Sequence, residues 1–143
     1  MFTNALQHLH PIFNHFPIAL FVTSVGFDLL AWWRPQIRVN GWPLLWIAAL
    51  MAVPTTITGL IAHIPYENSP AIAAIDRHQQ LALITTFLLL VLMIWRWRAQ
   101  RRGRELGQTA PYLVVALVAL VFLTLTGATG GDLVYTLGVG VVR

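Results

Sequence analysis

The sequence predicts an all-α integral membrane protein, folded as an antiparallel four-helix bundle with both termini outside. Its composition, 57% hydrophobic and 10% charged over 143 residues, leaves more apolar surface than a soluble domain of this length can bury. Four apolar runs approach or exceed the roughly 18 to 20 residues that cross about 30 Å of hydrocarbon. Such runs must be helical, because lipid leaves every backbone polar group to be satisfied within the protein. Short loops then make successive helices antiparallel neighbours.

We predict one transmembrane domain over residues 1–143, with the first two helices at about 11–33 and 42–63. Pro11 suits the first turn of a helix, where its missing N–H is not needed. The second helix runs through Pro54, where a kink is expected, and ends before Pro65.

The third and fourth helices are predicted at about 70–98 and 111–131. Ser69 and Pro70 resemble a cap followed by a first-turn proline, so the third helix is expected to begin there. The fourth begins at Pro111 and reaches a group of glycines that includes Gly127 and ends at Gly131. No internal repeat is evident.

Arginine sets the predicted orientation, because all nine basic side chains are arginines. Only Arg77 and Arg143 lie on one side of the predicted bundle, and seven lie around the first and third loops: Arg34, Arg38, Arg96, Arg98, Arg101, Arg102 and Arg104. The positive-inside rule places those two loops in the cytoplasm of a bacterium and makes the chain a multi-pass protein of the inner membrane. Beside a membrane span this cluster is a topology signal, and no nucleic-acid partner is expected.

Tryptophan follows the same asymmetry. All six tryptophans lie at the predicted cytoplasmic ends of the helices: Trp32, Trp33, Trp42, Trp46, Trp95 and Trp97. Amphipathic rings prefer the headgroup region, so these residues are interpreted as an interfacial belt in contact with membrane lipid. No basic segment or convincing cleavage site flanks the first apolar run, and that helix is expected to remain in the mature protein.

Histidine is the main candidate for chemistry. The chain has no cysteine, which excludes disulfides, iron–sulfur clusters held by thiolates and covalent c-type haem. Four of the five histidines fall at the predicted outer ends of the apolar runs: His10, His15, His63 and His78. Ionisable residues at one depth near lipid are a site hypothesis by default, although any single one of them is more often an interfacial residue without a ligand.

We interpret the set as ligands of haem b, one or two, since b-type haem takes two imidazoles from facing helices. By depth His15 and His63 form the first pair, and His10 and His78 a second or alternative pair. Gly59, on the face of His63, would let a macrocycle approach the backbone, and so would the glycines of the fourth helix, Gly127, Gly130 and Gly131. Arg77 would neutralise propionates.

Two other interpretations stay open. The same four histidines, His10, His15, His63 and His78, could bind zinc, copper, iron or nickel, completed by an acidic residue such as Asp76, Glu67 or Asp132. Alternatively the chain binds no cofactor and serves as a structural or assembly subunit that docks through its glycine-rich fourth helix.

Asp28 is a separate feature, because it lies inside the first apolar run. Such residues mark proton or quinone sites or pair within the bundle, whereas the simpler interpretation is a carboxylate hydrated from the interface or bonded to Arg34. The threonines of the second, third and fourth helices are interpreted as packing residues.

Both ends of the sequence resemble a known family. The segment from His10 to Leu20, HPIFNHFPIAL, followed by Asp28, and the segment from Gly130 to Val141, GGDLVYTLGVGV, are similar to the signature ends of a bacterial family of small four-helix membrane proteins catalogued as a domain of unknown function. Members carry a histidine at the start of the third helix, matched here by His78. Relatives often have a histidine in the closing motif, where this chain has Asp132 or Leu137.

The resemblance implies an architecture like that of four-helix membrane b-type cytochromes and an association with redox chemistry. We therefore expect a cytochrome b-like subunit that carries electrons near the outer face of the membrane, with other redox or membrane-complex subunits, and a quinone, as candidate partners. The usual enzyme constellations are missing, as there are no paired buried carboxylates and no cysteine. A non-catalytic electron-transfer or accessory role is favoured.

Overall fold

The protein is all-helical across the residues described, as the sequence predicts. The structure, a computed structural model, describes residues 2–141 and, of the side chains, those of His10 and residues 13–141. Its α-helices are α1 (Phe2–Trp33), α2 (Trp42–His63), α3 (Ile72–Gln100) and α4 (Ala110–Tyr135), with a short 3-10 turn, Ile64–Tyr66, after α2. Four helical stretches are long and apolar enough to cross a membrane, the second of them formed by α2 together with the 3-10 turn: Phe13–Trp33, Trp42–Tyr66, Ile72–Gln100 and Ala110–Tyr135.

The four helices form a bundle in which each packs on the next and α4 closes back on α1. Small residues of α2 and α4 are fully buried and bring backbones close: Ala48, Ala49, Ala116 and Ala119. Large side chains such as Phe21 and Leu89 fill the remaining interior. Most other large apolar side chains are exposed, which suits a surface in contact with lipid.

Three helix ends differ from the sequence prediction. Helix α3 begins at Ile72 rather than at Pro70, and its N-cap is Ala71, so Ser69 does not cap it; residues 70 and 71 form a turn instead. Helix α1 begins at Phe2 rather than at Pro11, because residues 2–10 contain no glycine or proline that would end a helix. Helix α4 continues past Gly131 to Tyr135 and stops before Gly138, whose φ of 66° suits a residue without a Cβ. The glycines within α4 do not end it, since backbone groups in lipid need their helical hydrogen bonds.

Hydrogen bonds between α1 and the α2 region show which segments lie together. The Thr55 hydroxyl, late in α2, donates to the Phe13 carbonyl of α1 at 3.3 Å. The Ser24 hydroxyl, late in α1, donates to the Gly41 carbonyl just before α2 at 2.8 Å. We call the end of the bundle that carries His10, His63 and His78 the histidine end. The opposite end, where α1 and α3 finish and where Arg34 and Arg96 lie, is called the arginine end.

Candidate functional site

His10 is held against α2 by its Nδ1 atom. This nitrogen donates to the Thr55 carbonyl at 2.9 Å and lies 3.4 Å from the Thr58 hydroxyl. A carbonyl oxygen only accepts, so Nδ1 carries the proton and Nε2 keeps a free lone pair. The ring lies over Gly59, where an added Cβ would come within 2.9 Å of the imidazole Cε1. Glycine is therefore required for the ring to occupy this place.

His78 is held against α4 in the same way. Its Nδ1 donates to the Thr126 carbonyl at 3.1 Å and lies at the same distance from the Thr129 hydroxyl. A Cβ at Gly130 would lie 3.0 Å from the imidazole Cε1. His78 thus has the same tautomer as His10, with Nε2 as the unprotonated nitrogen.

We call the two threonines and one glycine that surround each of these histidines its cradle. The two cradles share a short sequence pattern. In α2 it reads Thr55-Thr-Ile-Thr58-Gly59, and in α4 it reads Thr126-Gly-Ala-Thr129-Gly130. In each, the first threonine offers its carbonyl, the second its hydroxyl, and the glycine makes room for the ring. Sequence reasoning missed this repeat and treated the threonines as packing residues. Aligning the two threonine-rich helix segments with each other would have revealed it.

The surroundings of His10 also favour its neutral form. Burial lowers the pKa of His10, and its hydrogen bond to the Thr55 carbonyl raises the pKa by less. A neutral ring with a free Nε2 is the form that binds iron and other transition metals.

The other two candidate histidines have different surroundings. His15 is exposed. His63 bonds through Nδ1 to the Gln79 amide oxygen at 2.6 Å, and its Nε2 lies 3.4 Å from an Asp76 carboxylate oxygen. His15 and His63, the pair favoured by depth, therefore have unlike surroundings, whereas those of His10 and His78 match.

The donor set suits some ligands better than others. Within residues 2–141, apart from the side chains left undescribed near the start, no group of three or more His, Cys, Asp or Glu side chains could hold a metal ion. Tetrahedral zinc asks for three or four protein ligands, while b-type haem asks for two imidazoles. His10 and His78 supply the number of imidazoles that b-type haem requires.

Arg77 and Gly127 differ in how they relate to this pair. Arg77 lines an open pocket of about 300 Å³ together with Asp132 and with Thr129, which also contacts His78. Gly127 is exposed, and an added Cβ would meet nothing within 4 Å. The close approach occurs at Gly130 instead.

A second polar cluster lies at the arginine end, centred on Arg96. This side chain is 1% exposed, and its Nη1 donates to Asp28 Oδ2 at 2.6 Å. Its Nη2 donates to the Asn40 amide oxygen at 2.8 Å, and its Nε to Glu105 Oε1 at 3.0 Å. Asp28 also accepts from the Gly41 amide at 3.1 Å. The cluster thus ties α1, α3 and the first and third loops together.

This cluster decides between the interpretations of Asp28 and corrects that of Arg96. Asp28 is 2% exposed and pairs with Arg96, which confirms the interpretation that it pairs within the bundle. It is neither hydrated from the interface nor bonded to Arg34, which stacks on Trp33 at 4.7 Å. Arg96, counted with the surface arginines, is buried. A Cβ at Gly107 would overlap its guanidinium, so the site is filled by the protein and leaves no space for a ligand there.

Fold and site together define a multi-pass four-helix membrane protein with two histidines in matched cradles at one end. The chain belongs to the family described as "Predicted membrane protein (DUF2231)", whose model matches residues 7–143, and the resemblance seen in the sequence is confirmed. Neither the curated proteins nor the solved structures include a match.

Proposed function

We propose that this protein is a b-type cytochrome subunit that binds haem between His10 and His78 and transfers electrons. The observation that carries the proposal is the pair of matched cradles, each of which fixes a histidine by its Nδ1 and leaves Nε2 free. Ligating histidines in proteins almost always donate their other nitrogen to a carbonyl or carboxylate in this manner.

Each part of the cradle has a role in this proposal. The carbonyls of Thr55 and Thr126 would set the tautomer and orientation of the two rings and raise the basicity of Nε2. Gly59 and Gly130 would let the rings lie flat against α2 and α4. Arg77, exposed at the same end, would neutralise propionates.

Bound haem would supply a one-electron iron couple, and the protein would supply ligation, orientation and a low-dielectric setting. We further propose that the protein works in the bacterial inner membrane with its histidine end outside. This follows from the excess of arginine at the other end, by the positive-inside rule. A chain with so little mass outside the membrane would act within a larger redox complex.

An absorption spectrum of the detergent-purified protein, oxidised and then reduced with dithionite, tests the proposal. We expect a Soret band, with sharp α and β bands after reduction, in protein expressed with ample haem. His10→Ala and His78→Ala should each abolish these bands. His15→Ala is the matched control at the same end and should keep them, because His15 is exposed.

Two results would overturn the proposal. The first is a colourless wild-type protein with full helical circular dichroism. The second is a haem spectrum that survives both the His10 and the His78 substitutions while disappearing in His15→Ala or His63→Ala, which would restore the depth-based pair.

A further inference from the structure

Six exposed arginines surround the arginine end of the bundle, and we call them the arginine rim: Arg34, Arg38, Arg98, Arg101, Arg102 and Arg104. Within the part of the chain that the structure describes, none of them pairs with a carboxylate. The rim is therefore a concentration of positive charge whose counter-charge lies outside the protein.

The nearby acidic residues do not neutralise this rim. The carboxylates at this end are Asp28 and Glu105, and both bind Arg96 in the buried cluster. The remaining acidic residues of the chain, Glu67, Asp76 and Asp132, belong to the histidine end. Seven arginines thus share two carboxylates at the arginine end, and the rim arginines receive none of them.

Two rim arginines stack on exposed tryptophans. The Arg34 guanidinium lies 4.7 Å from the ring centre of Trp33, and that of Arg101 lies 5.3 Å from the ring centre of Trp97. Both tryptophans are exposed, at 71% and 41%. Exposed tryptophans at the ends of spanning helices sit at the headgroup level, so the stacked guanidinium groups lie where lipid phosphates are.

We propose that the arginine rim is a binding surface for the headgroups of anionic phospholipids such as phosphatidylglycerol. Charge complementarity selects lipids with net negative charge over zwitterionic ones. The planar guanidinium group donates two parallel hydrogen bonds to a phosphate, which a lysine ammonium does not. Stacking on Trp33 and Trp97 orients two of these groups before the lipid arrives. This inference does not depend on haem binding.

Tryptophan fluorescence provides the test, because all six tryptophans lie at this end. The protein is reconstituted into phosphatidylcholine bilayers in which a fixed fraction of lipid is brominated phosphatidylglycerol or brominated phosphatidylcholine. Bromine quenches only nearby tryptophans, so the ratio of the two quenching values measures selectivity at the rim.

We expect brominated phosphatidylglycerol to quench more strongly, by up to about fivefold in relative association for each arginine engaged. The double variant Arg34→Gln/Arg101→Gln should lose most of this preference, and high salt should weaken it in wild type. Gln108→Ala, which changes an exposed neutral side chain in the third loop, is the control and should keep it. Using a ratio within each variant cancels any change in intrinsic tryptophan emission.

Equal quenching by the two brominated lipids would refute the proposal. The proposal would also be refuted if the double variant kept the wild-type lipid preference while its helical circular dichroism was intact. A variant that loses helicity is replaced by Arg102→Gln/Arg104→Gln, whose side chains are exposed and whose loss must reduce the preference.

Discussion

Removing the carboxylate of Asp28 should destabilise the bundle more than almost any other single change at the arginine end. Asp28 accepts from Arg96 Nη1 at 2.6 Å and from the Gly41 amide at 3.1 Å, and it is 2% exposed. In the variant Asp28→Leu, the guanidinium of Arg96 stays buried with its main counter-charge gone. The perturbation therefore leaves a charge uncompensated rather than simply deleting a contact.

The magnitude follows from the burial of the pair. Breaking a buried ion pair from one side costs about 3 to 5 kcal/mol. Arg96 would keep Glu105 at 2.8 Å, but that carboxylate is 42% exposed and is partly screened by solvent. We expect Asp28→Leu to lower the free energy of unfolding by about 3 kcal/mol, the lower part of the range.

A double-mutant cycle isolates the pair. The variants Asp28→Leu, Arg96→Met and the combination are unfolded in mixed micelles by titration with dodecyl sulfate, followed by far-ultraviolet circular dichroism. Replacing both charges with apolar side chains of similar size is often close to neutral. The combination should therefore be less destabilised than the sum of the single variants, by about 2 kcal/mol. Asp132→Asn, an exposed carboxylate in α4, is the control and should change stability little.

Strict additivity in this cycle would refute the reasoning, since it would mean that Asp28 and Arg96 do not interact. A cost for Asp28→Leu as small as that of Asp132→Asn would refute it as well, because the carboxylate would then be hydrated rather than buried.

Three further outcomes are expected. Gly59→Ala should displace the His10 ring and lower the haem content of the purified protein, measured by its Soret absorbance, in protein that keeps its helical circular dichroism. Gly127→Ala should leave the absorption spectrum unchanged. Burial raises the pKa of Glu105, but the hydrogen bond from the Gly107 amide and the charge of Arg96 outweigh it and hold the pKa below its ordinary 4.5. Stability from this carboxylate is thus present above about pH 4.5 and is lost as the pH falls through the lower folded-state value, so acid unfolding should be less steep in Glu105→Gln. Gly107→Ala should destabilise the protein to dodecyl sulfate, because its methyl group would overlap the Arg96 guanidinium, and wild-type resistance in that variant would contradict the packing.

The four helices could be predicted from the sequence because one requirement, backbone hydrogen bonding in lipid, determines them. The need to satisfy the backbone in lipid makes long apolar runs helical, and this predicted the four spanning helices. Sequence reasoning failed for Arg96, because counting arginines on each side of the membrane to predict topology treats every arginine beside a span as exposed. Only the structure brings Asp28, 68 residues earlier in the chain, within reach of its guanidinium.

The histidines show a second limit. Depth along the membrane favours His15 and His63 as the first pair, and this stays a prediction. Depth does not say, however, which face of a helix a residue occupies. His15 is five residues after His10 and so points well away from it around the helix. The matched surroundings of His10 and His78 depend on backbone carbonyls of α2 and α4, which every residue has. Their trace in the sequence is the spacing of threonine and glycine that the two helices share, and it is found only when the two segments are aligned with each other.

The pairing of Asp28 with Arg96 also has a consequence for how the chain is made. When α1 leaves the ribosome, its carboxylate has no partner until 68 more residues have been added and α3 has followed it. An unpaired aspartate destabilises the transmembrane position of an isolated helix. Stable insertion of α1 in the bilayer should thus require α3, which is translated later. In a nascent chain stopped before Arg96, the membrane insertion of α1 should be less stable than in the full chain.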